Sequence, residues 1–302
     1  MTIHRTNFAD ELAPGFRQIF MDALKFGEKP GVIGRVYNMP KTPAQAYVDD
    51  SYMTGFGLAS TKDEGASSAY DDIYQGLDTR YTFDTYSLAY RVTKEMMEDS
   101  LYGLMQKLPK AAGRSMRATV ETDGANMFNN GTSGSYVMDG GDGLALFSTS
   151  HTLVSGGTQK NRLTTAADLS ATSYEQACID IKDTTDDRGI LMDLKPKKLL
   201  YPNELAWTVR KVFGSEKDPE SANNAINPAN DDRLEFVEWS YLTDADEWFI
   251  ICDEHELNWF WRVMPDHYQG NDFDTDDAKF KSRARWKRGW SSPWGVFSGV
   301  GQ

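Results

Sequence analysis

Ser150 and His151 are the residues best typed for catalysis, a hydroxyl beside a base, and a Gly-Gly pair follows at 156–157. A serine hydrolase needs its hydroxyl within hydrogen-bond reach of the imidazole and a third group to orient the ring. Adjacent residues in an extended chain point to opposite faces, so these two do not make a dyad with each other. No run completes G-x-S-x-G, because GTSGS (131–135) ends in Ser135. Bases are few: the histidines are His4, His151, His255 and His267. The metal motifs are equally incomplete. DFDTDDAKFKSR opens like a calcium loop with Asp272, Asp274 and Asp276, but Asp277 stands where the turn needs glycine and Arg283 where a bidentate glutamate belongs. His255 and Glu256 begin a zinc-helix pattern that Trp259 breaks. GGTQK (156–160) is not a phosphate loop, and no dinucleotide fingerprint is present. The expectation is a protein with no catalytic residue, no cofactor and no metal, in which Ser150 and His151 serve their own loop.

The remaining chemistry is in charge. Lys and Arg number 32 against 45 Asp and Glu, a formal charge of −13. That sign disfavours tight wrapping on nucleic acid and attachment to an anionic membrane. The N-terminal MTIHRTNFADELAPGF lacks the apolar core of a secretory signal, and no apolar run approaches the ~20 residues of a membrane span. Cys178 and Cys252 have no CxxC partner and read as free thiols.

Along the chain, FRQIFMDALKF (16–26) places Phe16, Ile19, Phe20, Ala23 and Leu24 on one side of a helix. The rest of 1–45 reads as an arm that needs something else to lie on. Residues 49–79 carry seven acids (Asp49, Asp50, Asp63, Glu64, Asp71, Asp72, Asp78) against Lys62 alone, with the tyrosines and glycines of an extended hairpin. RYTFDTYSLAYRV (80–92) alternates as a strand with a slip near Thr85. From an N-cap at Thr93, the stripe Met97, Leu101, Leu104, Met105, Leu108, Ala112, Met116, Val120 predicts one long helix to Asn129, kinked at Pro109. Ser173 and Gln176 suggest a capping box, and Asn203 an N-cap. Strands are predicted at 195–202, 234–241, 247–252 and 257–263. In 278–290, Ala278, Phe280, Ser282, Ala284 and Trp286 share one face, and Lys279, Lys281, Arg283, Arg285 and Lys287 the other. The late tryptophans read as core and interface rather than a sugar platform. The class is α+β.

Four segments carry a resemblance: LALFSTSHTLVSGGTQKNRLTTAADLS, TTDDRGILMDLKPKKLLYPNEL, YLTDADEWFIICDEHELNWFWR and NDFDTDDAKFKSRARWKRGWSSPWGVFSG. With the order of arm, acidic loop, long helix and basic final strand, the chain resembles the major capsid proteins of tailed bacteriophages, the Hong Kong 97-type fold. More narrowly, it resembles the Mu-like prophage major head subunits. The resemblance implies an N-terminal arm (1–45), an extension loop overlapping a neighbour (46–92) and a peripheral domain with a spine helix (93–165 and 256–302). An axial domain (166–255) would cluster about the symmetry axes. It also implies self-assembly into hexamers and pentamers of an icosahedral shell around double-stranded DNA, held without sequence-specific binding. Portal, decoration and separate scaffolding proteins are further partners of that class. The place is the virion, assembled in the bacterial host cytoplasm. Some relatives cross-link a loop lysine to an asparagine; Lys62 is the only lysine in 46–92, and no partner is identified for it. No long charged helix precedes the arm, so no built-in scaffolding segment is expected. A nanocompartment shell of the same fold and a hydrolase using Ser150 or His151 stay open as alternatives.

Charge adds one expectation. The acidic loop, with Lys62, Asp71 and Asp72, would lie against a neighbour's basic strand, with Lys281, Arg283 and Arg285, and steer register. The competing reading is a basic face that is solvated or paired with Asp272–Asp277 beside it.

Overall fold

In the 278–290 segment, alternation decides the architecture. A computed structural model describes residues 9–24, 31–41, 44–99, 105–215, 217, 226–230, 234–271 and 277–301. In chain order the elements are α1 (Ala9–Leu24), α2 (Val32–Val36), β1 (Tyr47–Met53), β2 (Gln75–Thr82), β3 (Asp84–Val92), α3 (Lys94–Glu98) and α4 (Lys107–Asn129). There follow β4 (His151–Thr152), β5 (Thr158–Gln159), α5 (Ala171–Lys182), β6 (Pro196–Tyr201), α6 (Ala206–Phe213) and β7 (Glu235–Glu238). Last come β8 (Trp248–Cys252), β9 (Leu257–Asn271), β10 (Ala278–Trp290) and β11 (Val296–Gly299). β10 is the centre of an antiparallel sheet, β3-β10-β9. Its Ala278, Phe280, Ser282, Ala284 and Trp286 are all buried, as the alternation predicts. Ala278 and Phe280 cluster with Phe16, Val92 and Met105, and Leu108 packs against them, which puts α1 and the start of α4 on that face, while Ala284 and Trp286 join the core around α4.

The second sheet runs β11-β8-β6-β7, with β6 and β7 parallel and the rest antiparallel. Every residue of β8, WFIIC, is buried. The cause is burial on both faces: Phe249 and Ile251 join the core around α4, while Trp248, Ile250 and Cys252 join a second core with Tyr174, Ala177 and Ile181 of α5 and Val209 and Phe213 of α6. A strand buried on both faces reads as a continuous apolar run. Each such large side chain contributes about 1.5–3 kcal/mol. Seven tryptophans pack inside or partly inside; Trp207 alone stands out on α6.

Several expectations are corrected. The arm does not lack a surface: α1 lies on its own chain's α4, with Phe16, Phe20 and Leu24 buried. The predicted single helix meets turns at Asp99, after α3, and at Gln106, before α4; residues 100–104 lie outside the described residues. Pro109 sits in the first turn of α4, where a missing N–H costs no helix bond. Thr93 does cap α3, its hydroxyl accepting from the Met96 N–H at 3.4 Å. The slip near Thr85 falls at Phe83, where the chain leaves the β1–β2 pair and joins β10. The cap of α5 is Ser170, with Ser173 closing the box in place of Gln176. Asn203 caps nothing with its side chain and instead accepts from Ser240 Oγ. The C-terminal strand β11 pairs with β8 of the second sheet, apart from the rest of 256–302. The cysteines are free thiols as expected.

Candidate subunit interface

The acidic segment forms a hairpin whose base is anchored and whose tip is not. β1 pairs antiparallel with β2, from Tyr47↔Thr82 to a register shift between Ser51 and Met53. At the base, Tyr81 is fully buried edge-on to Phe260, ring centroids 4.8 Å apart. Asp50 accepts from Ser291 Oγ at 2.5 Å. The Arg80 N–H reaches the Asp139 carbonyl at 3.0 Å, and its guanidinium pairs with Asp49 at 2.7 Å while lying over the Tyr47 ring. Higher up, Thr54 and Tyr74 clip the two limbs together: the Tyr74 N–H donates to Thr54 Oγ1 at 2.9 Å and the Thr54 N–H to the Tyr74 carbonyl at 3.0 Å. Beyond that clip the backbone has no regular structure. Met53, Phe56, Leu58, Tyr70, Ile73 and Tyr74 are exposed, Tyr70 completely. Such a concentration of bare apolar surface makes the tip a candidate interaction site.

One strut joins the tip to the body. Arg188, from the DDRG turn after α5, donates to the Asp71 carboxylate and to the Asp72 carbonyl, the latter at 3.1 Å. The Gly57 N–H, 2.7 Å away, and then Arg188 hold the Asp71 carboxyl below its ordinary value. The span from 56 to 71 thus arches over residues 153–156 and 185–189 across a cleft of ≈ 1570 Å³. Lys62 is exposed on its rim.

The outward face of the β3-β10-β9 sheet is the other feature. Cross-strand partners lie on one face, so Lys279, Lys281, Arg283 and Arg285 line up with Arg91, Ala89, Ser87 and Thr85 on β3. On β9 they meet Gly270, Tyr268, Asp266 and Val263. Asp266 is already paired with Arg17 of α1 at 2.9 Å, and Asp277 with Arg91 at 3.8 Å. At the far end Lys287 pairs with Asp84, and Arg288 and Trp286 Nε1 share Asp123. Lys281 and Arg283 form no ion pair among the described residues, and Arg285 Nε is buried without a hydrogen-bond partner. The six residues singled out from the sequence are therefore not joined within one chain. Asp71 is held by its own chain's Arg188. Asp272, Asp274 and Asp276 lie outside the described residues.

Ser150 and His151 point apart, the serine exposed and the histidine buried. His151 Nδ1 lies 2.5 Å from Asp142, and Nε2 lies 3.2 Å from the Leu146 carbonyl. Burial acts to raise the Asp142 carboxyl, and His151 with the Leu144 N–H brings it below its ordinary value. Asn161 closes the same loop through the Ser148 N–H and the Leu146 and Pro293 carbonyls. Sequence reading missed Asp142, Arg188 and the buried Glu121, which accepts from Trp239 Nε1 at 3.0 Å. Their partners are 9, 117 and 118 residues away, so no local spacing announces them.

A family profile described as phage capsid protein matches residues 76–298. No match is found among curated proteins. Among solved structures, the chain resembles the capsid of bacteriophage JBD30, with 15% identity and a TM-score of 0.57 over 80% of this chain and 96% of that one. It also resembles the capsid of Ralstonia phage GP4, with 9% identity and a TM-score of 0.56 over 88% and 87%. A virus-like particle from Pyrococcus furiosus matches with 7% identity and a TM-score of 0.51 over 95% and 99%.

Proposed function

The chain belongs to the phage capsid protein family, and on that premise we propose that its copies form the pentamers and hexamers of an icosahedral shell enclosing double-stranded phage DNA. The observation that carries the proposal is the hairpin: a base locked to the body and a tip whose apolar side chains find no cover among the described residues. A second copy supplies that cover. In this reading 1–45 is the arm, 46–92 the extension loop, 93–165 and 256–302 the peripheral domain, and 166–255 the axial domain, to whose sheet β11 adds a strand. The tip of one copy lies against the outward sheet face of the next, with Asp72 and Glu64 towards Lys281, Arg283 and Arg285, while Arg188 and Asp71 set the angle of the loop. The shell stands in the virion after assembly in the host cytoplasm, with portal, scaffolding and decoration proteins as partners. The narrower placement with Mu-like prophage head subunits belongs to the same proposal.

The proposal assigns no catalysis, since both ring nitrogens of His151 are engaged inside its loop. A shell of the same fold holding enzymes instead of a genome is the second reading; the virus-like particle shares that fold. Electron microscopy of the expressed chain, with analysis of particle contents, tests both. Closed shells are expected, and Arg283→Glu with Arg285→Glu should abolish them unless Glu64 and Asp72 are reversed too. A soluble monomer at high concentration would refute the shell. Enzyme in place of nucleic acid in particles from infected cells would select the second reading.

A further inference from the structure

The solvent face of α4 carries a feature that neither core nor loop explains. Lys107, Lys110, Arg114 and Arg117 follow one another at intervals of three, four and three, which sets them along one side of the helix. The opposite side is fixed inward by Ala112, Gly113, Met116 and Val120, so the stripe faces out. Residues 100–120 contain no acid at all, in a chain of net charge −13. Lys107, Lys110 and Arg114 form no ion pair among the described residues, and the carboxylate that Arg117 feels is the buried Glu121.

Helix stability does not account for this placement. The N-terminal end of a helix is its positive end, where lysines are unfavourable and acids are preferred. The first turn of α4 has no acid. Cations there add to the helix field and build a positive potential in front of the stripe.

We propose that this stripe is the surface that touches packaged duplex DNA, gripping the phosphate backbone without reading bases; the proposal rests on the shell reading above. Protein partners need buried aromatic or aliphatic anchors. Beside these cations the same side of the helix offers only the small side chains of Ala111, Ser115 and Ala118. The sheet face, by contrast, offers exposed Tyr268 and Met264 beside its cations, as a contact between copies requires. The stripe spans about 15 Å at 1.5 Å per residue. A duplex presents about nine phosphates over that length, at one charge per ~1.7 Å. Four cations against them give a weak, salt-sensitive contact along which DNA slides, inside a wall that otherwise repels it.

The test is fluorescence anisotropy of a 30-bp mixed-sequence duplex with the full chain, alongside electron microscopy of assembly. Four phosphate contacts predict that affinity falls about 10²-fold between 50 and 200 mM salt. The triple variant Lys107→Gln, Lys110→Gln, Arg114→Gln should lose at least tenfold in affinity at 50 mM and most of the salt slope, while melting and assembling as the parent does. A control, Lys182→Gln, Lys197→Gln, Lys211→Gln, makes the same change in net charge elsewhere and should keep both. Equal losses in the two variants, or no binding by the parent, would overturn the proposal. So would retained DNA binding with lost assembly, which would make the stripe a contact between copies. DNA binding by a parent that forms no shells would instead sink the shell reading and leave the stripe standing.

Discussion

Glu247 sits beneath the C-terminal strand, 6% exposed, accepting from Ser298 Oγ at 3.0 Å. Burial pushes its carboxyl up to about 7; the Ser298 hydroxyl opposes and Asp244 adds to the rise. A carboxyl with a raised folded value binds its proton more tightly folded than unfolded. Its contribution is therefore complete below the ordinary value of 4.5 and is lost as pH rises through about 7. Glu247→Gln keeps an acceptor for Ser298 without the charge. It should match the parent near pH 4 and exceed it at pH 8, by roughly 3 kcal/mol at most. Thermal melts across that range check this, and an equal or lower melting point for the variant at pH 8 would contradict it. Burial acts the other way on His267, lowering its value among the rings of Phe20, Tyr90 and Phe280 where α1 docks. Its contribution is complete above the unfolded value of 6.5 and fades as pH falls below it, so α1 is expected to dock less firmly in acid.

α1 rests on α4 because Gly113 leaves room for it. A Cβ at that position would stand 2.7 Å from the Phe20 carbonyl oxygen and 2.8 Å from Ala23 Cβ. In an open helix Gly→Ala gains about 1 kcal/mol. Here overpacking, which costs about 1–3 kcal/mol, should reverse that sign. Gly113→Ala is expected to melt lower and to expose 9–24 to protease sooner; a stabilised variant would show that α1 is not seated as described. The same pair of helices shows where sequence reading stopped. The stripe Phe16, Phe20, Leu24 was visible as periodicity, but its receiver was not, because periodicity says that a face is apolar and not what covers it. β10 was legible in full, since strict alternation admits one arrangement. The turns at Asp99 and Gln106 were hidden because apolar spacing continues past both, and Pro109, the obvious breaker, is harmless in a first turn. The hairpin was legible as acidic and extended. The Arg188 strut was not, since it joins residues 117 apart in sequence.

At the scale of the whole chain, one body carries two unfinished surfaces, the hairpin tip and the outward sheet face, and a third that is finished but charged, on α4. Overall acidity, read alone, suggested a wall indifferent or hostile to DNA; the distribution of charge tells more than its sum, because the bases are gathered on β10 and α4. The central claim is that the hairpin tip completes its burial only against another copy. Amide hydrogen exchange over residues 54–74, measured on dissociated subunits and on assembled particles of the same protein, tests that most directly. The account predicts rapid exchange in the subunits, apart from the Thr54–Tyr74 clip, and strong protection in the particles. Equal protection in both states would mean that the tip is already folded onto its own chain, and the claim would be wrong.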